Sequence, residues 1–471
     1  MNQHSRWMRW RAILDGFEDV NQKREYLGKA TFELSGNYDC RIDMSYFMGL
    51  SEMAIEQLVG AVLGQEPKID VHEDMLDFLD NVDGAGTTLL EFDETAAREA
   101  LGMGIAYIGV DGPMTMPNEA PTRLQELGAG MNRAFLTLYQ AEDVINWSTD
   151  ERGHLEWVMI RQIVSEQGSP TEDRRHFEQL TLYDRESFRR WRREVDENGS
   201  AIGQSTDFVE VPIGNPIHRM GFVPVFPVYG IRRAPMVGDS IIRASSRADL
   251  AAFQDESWAA MARYRHANPI LKLFSDEDIN KIFSGNVVRL KKDSNVEEDM
   301  EYLELSKAAL DVREEAMKRY RMMAVTLSGV NPQAVPDSAG STTGESGIAQ
   351  RVRFTQTQKN QIARFSSKFE ATMIRVLGAA EMWIRGIDEP SGDNAFQIKS
   401  TFEVTEADDL VRRLEKVEFG LIPSETLVRE LMKQAAAKLA GDLNPDIAQQ
   451  IKDEIDNADI ASMTNQMDVG A

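Results

Sequence analysis

The residues whose types could do chemistry are two runs of carboxylates, Asp276-Glu277-Asp278 and Glu297-Glu298-Asp299. Such groups can hold the divalent cations of a two-metal nuclease. Their spacing does not favour that role, because adjacent side chains on a strand or loop point in different directions; a solvated acidic surface is expected. Gly102, Gly104 and Gly109 come near a dinucleotide fingerprint, yet they precede or lie within an apolar run where the fingerprint needs them after it. They are expected to serve turns and packing. GxxxxGK[ST], GxSxG and HExxH are absent, and His4, His72, His154, His176, His218 and His266 show no ligand spacing. The single cysteine, Cys40, excludes an intrachain disulfide and a multi-thiolate metal site, and is expected as a small core residue. No catalytic, metal-binding or cofactor-binding residue is expected, no cofactor is called for, and the chain is read as a non-enzyme.

The basic side chains form only short groups. Arg289, Lys291 and Lys292, and likewise Lys318, Arg319 and Arg321, are too few for a nucleic-acid-binding stripe; ordinary surface pairing is expected of them. The 471 residues carry 52 Lys and Arg against 77 Asp and Glu, a net of −25. Such acidity argues against coating DNA through neutralised phosphates, and leaves room for contact of a repulsive kind. With 42% hydrophobic residues the chain can fill a large core, so a wholly disordered chain is excluded. No run reaches the roughly 18 apolar residues of a membrane span, and Met1 to Arg11 lacks the apolar stretch of a signal peptide. A chain neither secreted nor membrane-bound is expected.

The elements that must position these residues follow from periodicity and breakers. Phe47, Leu50, Met53, Ala54, Leu58 and Ala61 mark one face of a helix ended at 64–67, and a second helix over Leu90–Leu101 leads into an apolar strand, Ile105–Val110. Partial alternation in Leu155–Ile163 and Leu180–Trp191, with turn signals at 167–170 and 197–199, predicts hairpins of an antiparallel sheet. Phe222–Gly230 is extended, but Pro224 and Pro227 make it poor for a central strand. Asp239 is expected to cap a helix running to His266, and Ser306 one running to Leu327. Between them lie two short strands, Pro269–Phe274 and Asn286–Leu290, and an acidic stretch from Glu297 to Glu304. After a Gly/Ser/Thr-rich loop at 329–347, the proline-free segment Ser346–Ile384 predicts a helix about 60 Å long. Its polar face is basic, with six Arg and Lys against two Glu.

Four segments go further than periodicity. They are Leu58 to Ile69, Ala141-Glu142-Asp143-Val144-Ile145-Asn146-Trp147, Gly344-Glu345-Ser346-Gly347-Ile348-Ala349 with the long basic helix, and Leu421-Ile422-Pro423-Ser424-Glu425-Thr426-Leu427. In this order, and on either side of a helix, a short insertion and a returning helix, they resemble the portal proteins of tailed bacteriophages, siphophage type. The third is similar to that family's tunnel loop running into its kinked wing helix, the fourth to the start of its C-terminal helical part.

The resemblance implies an α+β fold: a mainly helical, elongated subunit with an antiparallel β-rich wing and a small α/β clip, assembling as a ring. By position the wing would be 1–237 and 346–400, the stem helices 238–267 and 306–328, the clip 268–305, the tunnel loop 329–345 and the crown 401–471. It further implies a dodecameric head-to-tail connector at one capsid vertex through which double-stranded DNA is packaged, retained and ejected. The expected partners are other copies of the chain, DNA, the large terminase subunit, a head–tail adaptor, the major capsid protein and scaffold, with no membrane. The location would be the virion, and the host cytoplasm during assembly. Asn331, Gln333, Ser338, Ser341, Thr342 and Thr343 would face the tunnel, with Lys318, Arg319 and Arg321 near its wall. Asp276, Glu277, Asp278, Arg289, Lys291 and Lys292 would belong to the docking clip. Two alternatives stand beside this reading: a metal-dependent nuclease using the clip carboxylates, and a virion or scaffold-like interaction protein without a channel.

Overall fold

A computed structural model describes residues 3–17, 20–31, 33–112, 133–170, 173–196, 199–200, 207–213, 218, 220–267, 270–274, 287–290, 299–303, 307–328 and 347–398, together with 429, 432, 433, 451 and 453–455. The chain divides into two compact units, Met1–Ser400 and Thr401–Ala471. Nearly all of the expected crown lies outside the described residues, and the elements below belong to the first unit.

Helices α1 (Gln3–Leu14), α2 (Val20–Tyr26), α3 (Ser35–Met44) and α4 (Leu50–Leu63) open the chain. Leu50, Ala54 and Leu58 are buried along α4, which ends at Gly64 where the breaker was expected. Phe47 lies ahead of the helix, in a cluster with Phe17, Ile42 and Phe253. Cys40, expected in the core, is half-buried on α3. After β1 (Lys68–Asp70) and the short α5 (Leu76–Leu79), helix α6 (Leu89–Met103) starts at a capping box, Thr88 with Glu91. Gly104 closes it with φ +90°, and a Cβ there would stand 2.5 Å from the Asp239 carbonyl carbon, so the fingerprint-like glycine is a turn and packing residue.

Strand β2 (Ile105–Asp111) follows, buried from Ile105 to Val110, then β3 (Phe135–Tyr139), β4 (Val144–Thr149), β5 (Leu155–Glu166), β6 (Arg175–Asp184), β7 (Phe188–Val195), β8 (Val209–Glu210), β9 (Val225–Tyr229), β10 (Ile231–Ala234) and β11 (Val237–Asp239). Two larger antiparallel sheets result, β3-β2-β9 and β4-β5-β6-β7-β8, beside the antiparallel pair β10-β11. The segment Leu180–Trp191, expected as one strand, is two. Asp184 accepts hydrogen bonds from the backbone N–H groups of Glu186 and Ser187 and reverses the chain between β6 and β7. β9 holds Pro227 and lies at a sheet edge, where a missing donor is tolerated.

Helix α7 (Ser245–Ala267), strands β12 (Ile270–Phe274), β13 (Val287–Leu290) and β14 (Asp299–Leu303), helix α8 (Lys307–Ser328), helix α9 (Gly347–Arg385) and β15 (Ala395–Gln397) complete the unit. The cap of α7 differs from expectation. Ser240, not Asp239, caps a 3-10 turn at Ile241–Arg243, and the α-helix begins at Ser245. Asp239 is instead buried in ion pairs with Arg233 and Arg243. Ser306 lies outside the described residues. The acidic stretch contains an unexpected strand, β14, antiparallel to β12, while β13 pairs with β12 in parallel. The helical part expected of this insertion falls on 275–286, outside the described residues. The architecture is α+β, with antiparallel pairing in every described sheet except at β12–β13.

Candidate functional site

Helices α7 and α8 pack against each other and flank the three-stranded insertion. Side chains from the N-terminal helices anchor α7. Asp249 Oδ2 accepts from the Ser51 backbone N–H at 2.9 Å, at the start of α4. Burial pushes the Asp249 carboxyl up to about 6, against the pull of the Ser51 hydrogen bonds. Phe253 stacks on Phe17 with centroids 5.1 Å apart. Arg41, wholly buried, donates to Ser257 Oγ at 3.0 Å and lies over the Trp258 ring at 4.1 Å, while Glu33 neutralises it at 2.8 Å. These contacts join the helix pair to the rest of the unit at its α4 end. Ala324 of α8 closes a small cluster there with Leu50 and Ala248.

The solvent-exposed part of α8 carries two of the three expected tunnel-wall residues. Lys318 and Arg319 are exposed, and Arg319 meets Glu315 one turn earlier at 3.8 Å. Arg321 is half-buried, its Nε without a hydrogen-bond partner among the described residues. Large apolar side chains share this side: Val312 is 67% exposed, Met322 40%, Met323 45% and Leu327 45%. Positions 312, 316, 319, 323 and 327 run along one row of a helix, with 322 beside it. The cations stand out in the sequence; the three- and four-residue steps of this stripe mark an apolar face without telling whether anything covers it.

Of the expected docking residues, Arg289 sits on β13 at the register position of Leu273, which also pairs with Met300 of β14. Asp276, Glu277, Asp278, Lys291 and Lys292 lie outside the described residues. So do the tunnel-loop residues Asn331, Gln333, Ser338, Ser341, Thr342 and Thr343.

The long helix α9 spans 39 residues, close to the expected bounds, and Gly386 with φ +65° follows it. Ile362, Phe365, Phe369, Met373, Val376 and Ala380, an apolar ladder along the helix, are buried; Trp383 stands beside Gly112, whose Cβ would come within 2.5 Å of its ring. The helix rests on β2, β9 and β15. Its buried Glu381 accepts from Asn394 Nδ2 at 2.7 Å, Ser391 N at 3.1 Å and Arg385 Nη1 at 2.5 Å, so the C-terminal turn is tied to the loop that follows. A second polar cluster joins the two antiparallel sheets. Tyr183 Oη donates to Asp111 Oδ2 at 2.8 Å and shares a 3.0 Å hydrogen bond with Tyr139 Oη. Burial pushes Asp111 up to about 6, opposed by that hydrogen bond and by Arg190.

No family model matches the sequence, and no curated protein matches it. Among solved structures, the chain is similar to one from the virion of a native gene transfer agent particle, with 10% identity, a TM-score of 0.43 and coverage of 86% of this chain and 95% of that one. It is similar to a chain from the neck of the empty particle computed with C6 symmetry, at 10% identity and TM-score 0.41 over 86% and 95% of the two chains. A chain from the neck of the native particle computed with C12 symmetry gives 12% identity and TM-score 0.40 over 84% and 94%.

Proposed function

We propose that the chain is the subunit of a portal ring at a phage capsid vertex. The observation that carries this reading is the unfinished outer side of α8. A helix pair rooted at one end, flanking a small sheet at the other, leaves Val312, Met322, Met323 and Leu327 in solvent. Apolar side chains grouped this way mark an association surface. The order of helix, insertion, returning helix and very long helix is that of the resemblance drawn from the sequence.

In this reading α7 and α8 form the stem, the β12–β14 sheet the clip and α9 part of the wing. The ring has about twelve copies, as in the family the sequence resembles. The net charge of −25 suits a wall that keeps DNA centred and sliding without gripping its phosphates. The clip receives the terminase during packaging and an adaptor afterwards, and the protein itself catalyses nothing.

The deciding experiment is an end-on electron-microscope image of the purified protein, paired with light scattering. A closed ring of about a dozen subunits is expected; a monomer or an open assembly overturns the reading. Shortening 329–345 is expected to leave rings intact while DNA packaging or retention fails.

A further inference from the structure

In a chain this acidic, one cleft has the opposite charge. It measures about 670 Å³ and lies between the β4–β5 and β6–β7 turns, the segment leading into β9, the β10–β11 hairpin and the exposed side of α9. Arg152, Arg185, Arg232, Lys368 and Arg375 line it, with Asp150 as the carboxylate. Asp150 is already engaged. It accepts from Arg185 Nη2 at 3.2 Å and from the backbone N–H groups of Arg152 and His154 at 3.0 and 2.9 Å, and its other contact is the His154 ring at 3.3 Å. Arg152, Arg232, Lys368 and Arg375 have no acidic partner among the described residues.

Two of these cations are held in place all the same. Arg232 lies over the Tyr229 ring at 5.3 Å and Arg375 over the Phe226 ring at 5.1 Å. Aromatic faces orient a guanidinium without neutralising it. Crowding by protein, with Arg232 nearby, lowers the Arg375 pKa from its ordinary value. An apolar pocket of about 290 Å³ adjoins the cleft, sharing Phe222 and Arg375 with it and walled by Phe226, Ile374, Ala379 and Pro390.

We propose that the cleft and its neighbouring pocket bind an acidic peptide segment carrying one apolar side chain. Its carboxylates meet Arg152, Arg232, Lys368 and Arg375, and its apolar side chain enters between Phe222, Phe226 and Pro390. A nucleotide is the weaker fit. A base brings several donors and acceptors into a pocket whose polar side chains are Asn394 and, at its mouth, the Arg375 shared with the cleft, whereas an apolar side chain needs no partner there. The proposal goes beyond the portal reading and holds whether or not the chain forms rings.

Fluorescence anisotropy on the full-length protein tests it, with a labelled Asp-Glu-Asp-Leu-Glu-Asp-Glu-Asp peptide as probe. Binding at low salt is expected, weaker by about ten-fold or more for the Asn/Gln analogue and for Arg232→Glu with Arg375→Glu. Replacing the probe's leucine by serine weakens binding by roughly three-fold or more, through the apolar pocket. Should the double variant fail to fold, Arg152→Glu with Lys368→Glu, both at exposed positions, replaces it and is expected to act in the same direction. Absence of binding by the wild-type protein, equal affinity for the neutral analogue, or unchanged binding in the folded variants overturns the proposal. So does tighter binding of an octathymidylate that the same substitutions abolish, which would assign the cleft to nucleic acid.

Discussion

Two helices of this chain treat their apolar side chains in opposite ways. α9 buries Ile362, Phe365, Phe369, Met373, Val376, Leu377 and Ala380 against strands of its own subunit. α8 buries Met317 and Ala324 among its described side chains and leaves Val312, Met322, Met323 and Leu327 in solvent. Both helices are long, and both mix cations with apolar residues. The difference lies in what each is packed on: α9 crosses two sheets, whereas α8 has α7 and the end of α4 beneath it. One ladder is completed by folding; the other stays in solvent, where the proposed ring would cover it. Loss of subunit stability and loss of assembly should therefore be separable by substitution.

Phe369→Ala gives the largest expected effect on stability. The ring is 1% exposed, and emptying such a site costs about 3–5 kcal/mol. Urea unfolding should show that loss, and any assembly should disappear along with the fold. A cost below about 1 kcal/mol would mean that α9 is less firmly docked than its burial indicates.

An intermediate effect tests the footing of the helix pair. Asp249 of α7 titrates near 6 in the folded chain, because burial disfavours its charge, against roughly 3.9 when unfolded. The folded state thus holds the proton more tightly, so Asp249 destabilises above pH 6 and this penalty fades as pH falls towards 4. Asp249→Asn carries no such penalty. The stability of the variant relative to wild type should be more favourable at pH 7.5 than at pH 4 by on the order of 2 kcal/mol. A pH-independent difference in paired urea titrations would show that Asp249 titrates alike in the folded and unfolded chain, with its surroundings more open than the structure has them.

Smaller still is the stability change expected on the outer side of α8. Met322→Asp with Met323→Asp should leave the unfolding free energy of the dissociated subunit within about 0.5 kcal/mol of wild type, as for other solvent-facing positions. The molar mass by light scattering should nevertheless fall to that of smaller species. Unchanged mass would show that this stripe is not an association surface, and the contrast with α9 would then say nothing about assembly.

Much of this contrast could be read from the residues. The absence of proline from 346–384 and its apolar ladder mark α9 almost to its ends, because helix length and periodicity are local properties. The same holds for α6 and for β2, whose junction at Gly104 is a local stop. The turn at Asp184–Ser187 was missed because its signal is an aspartate bonding to backbone two and three residues on, set inside a run of strand-forming residues. Ser240 displaced Asp239 as the cap because two arginines claim the aspartate, one of them from β10. The exposed stripe of α8 was hidden for a different reason. Periodicity shows that a face is apolar but not whether anything covers it. The basic cleft gathers residues from 150 to 375, on separate elements, and no spacing rule joins them.

The smallest effect expected comes from the exposed ion pair on α8. Glu315 precedes Arg319 by four residues, the favourable order on a helix, but the two side chains are 77% and 71% exposed and 3.8 Å apart. Such a pair contributes about 0.5 kcal/mol or less, and salt screens it. Arg319→Ala should therefore shift the unfolding free energy of the dissociated subunit by no more than that, and the shift should vanish in about 1 M salt. In the proposed ring the same substitution would act at the edge of Met322 and Met323. If it costs well over 1 kcal/mol there and not in the dissociated subunit, Arg319 is covered by a neighbour, and the outward side of α8 is an interface along its length. An equally small cost in both states would confine the association surface to the apolar positions.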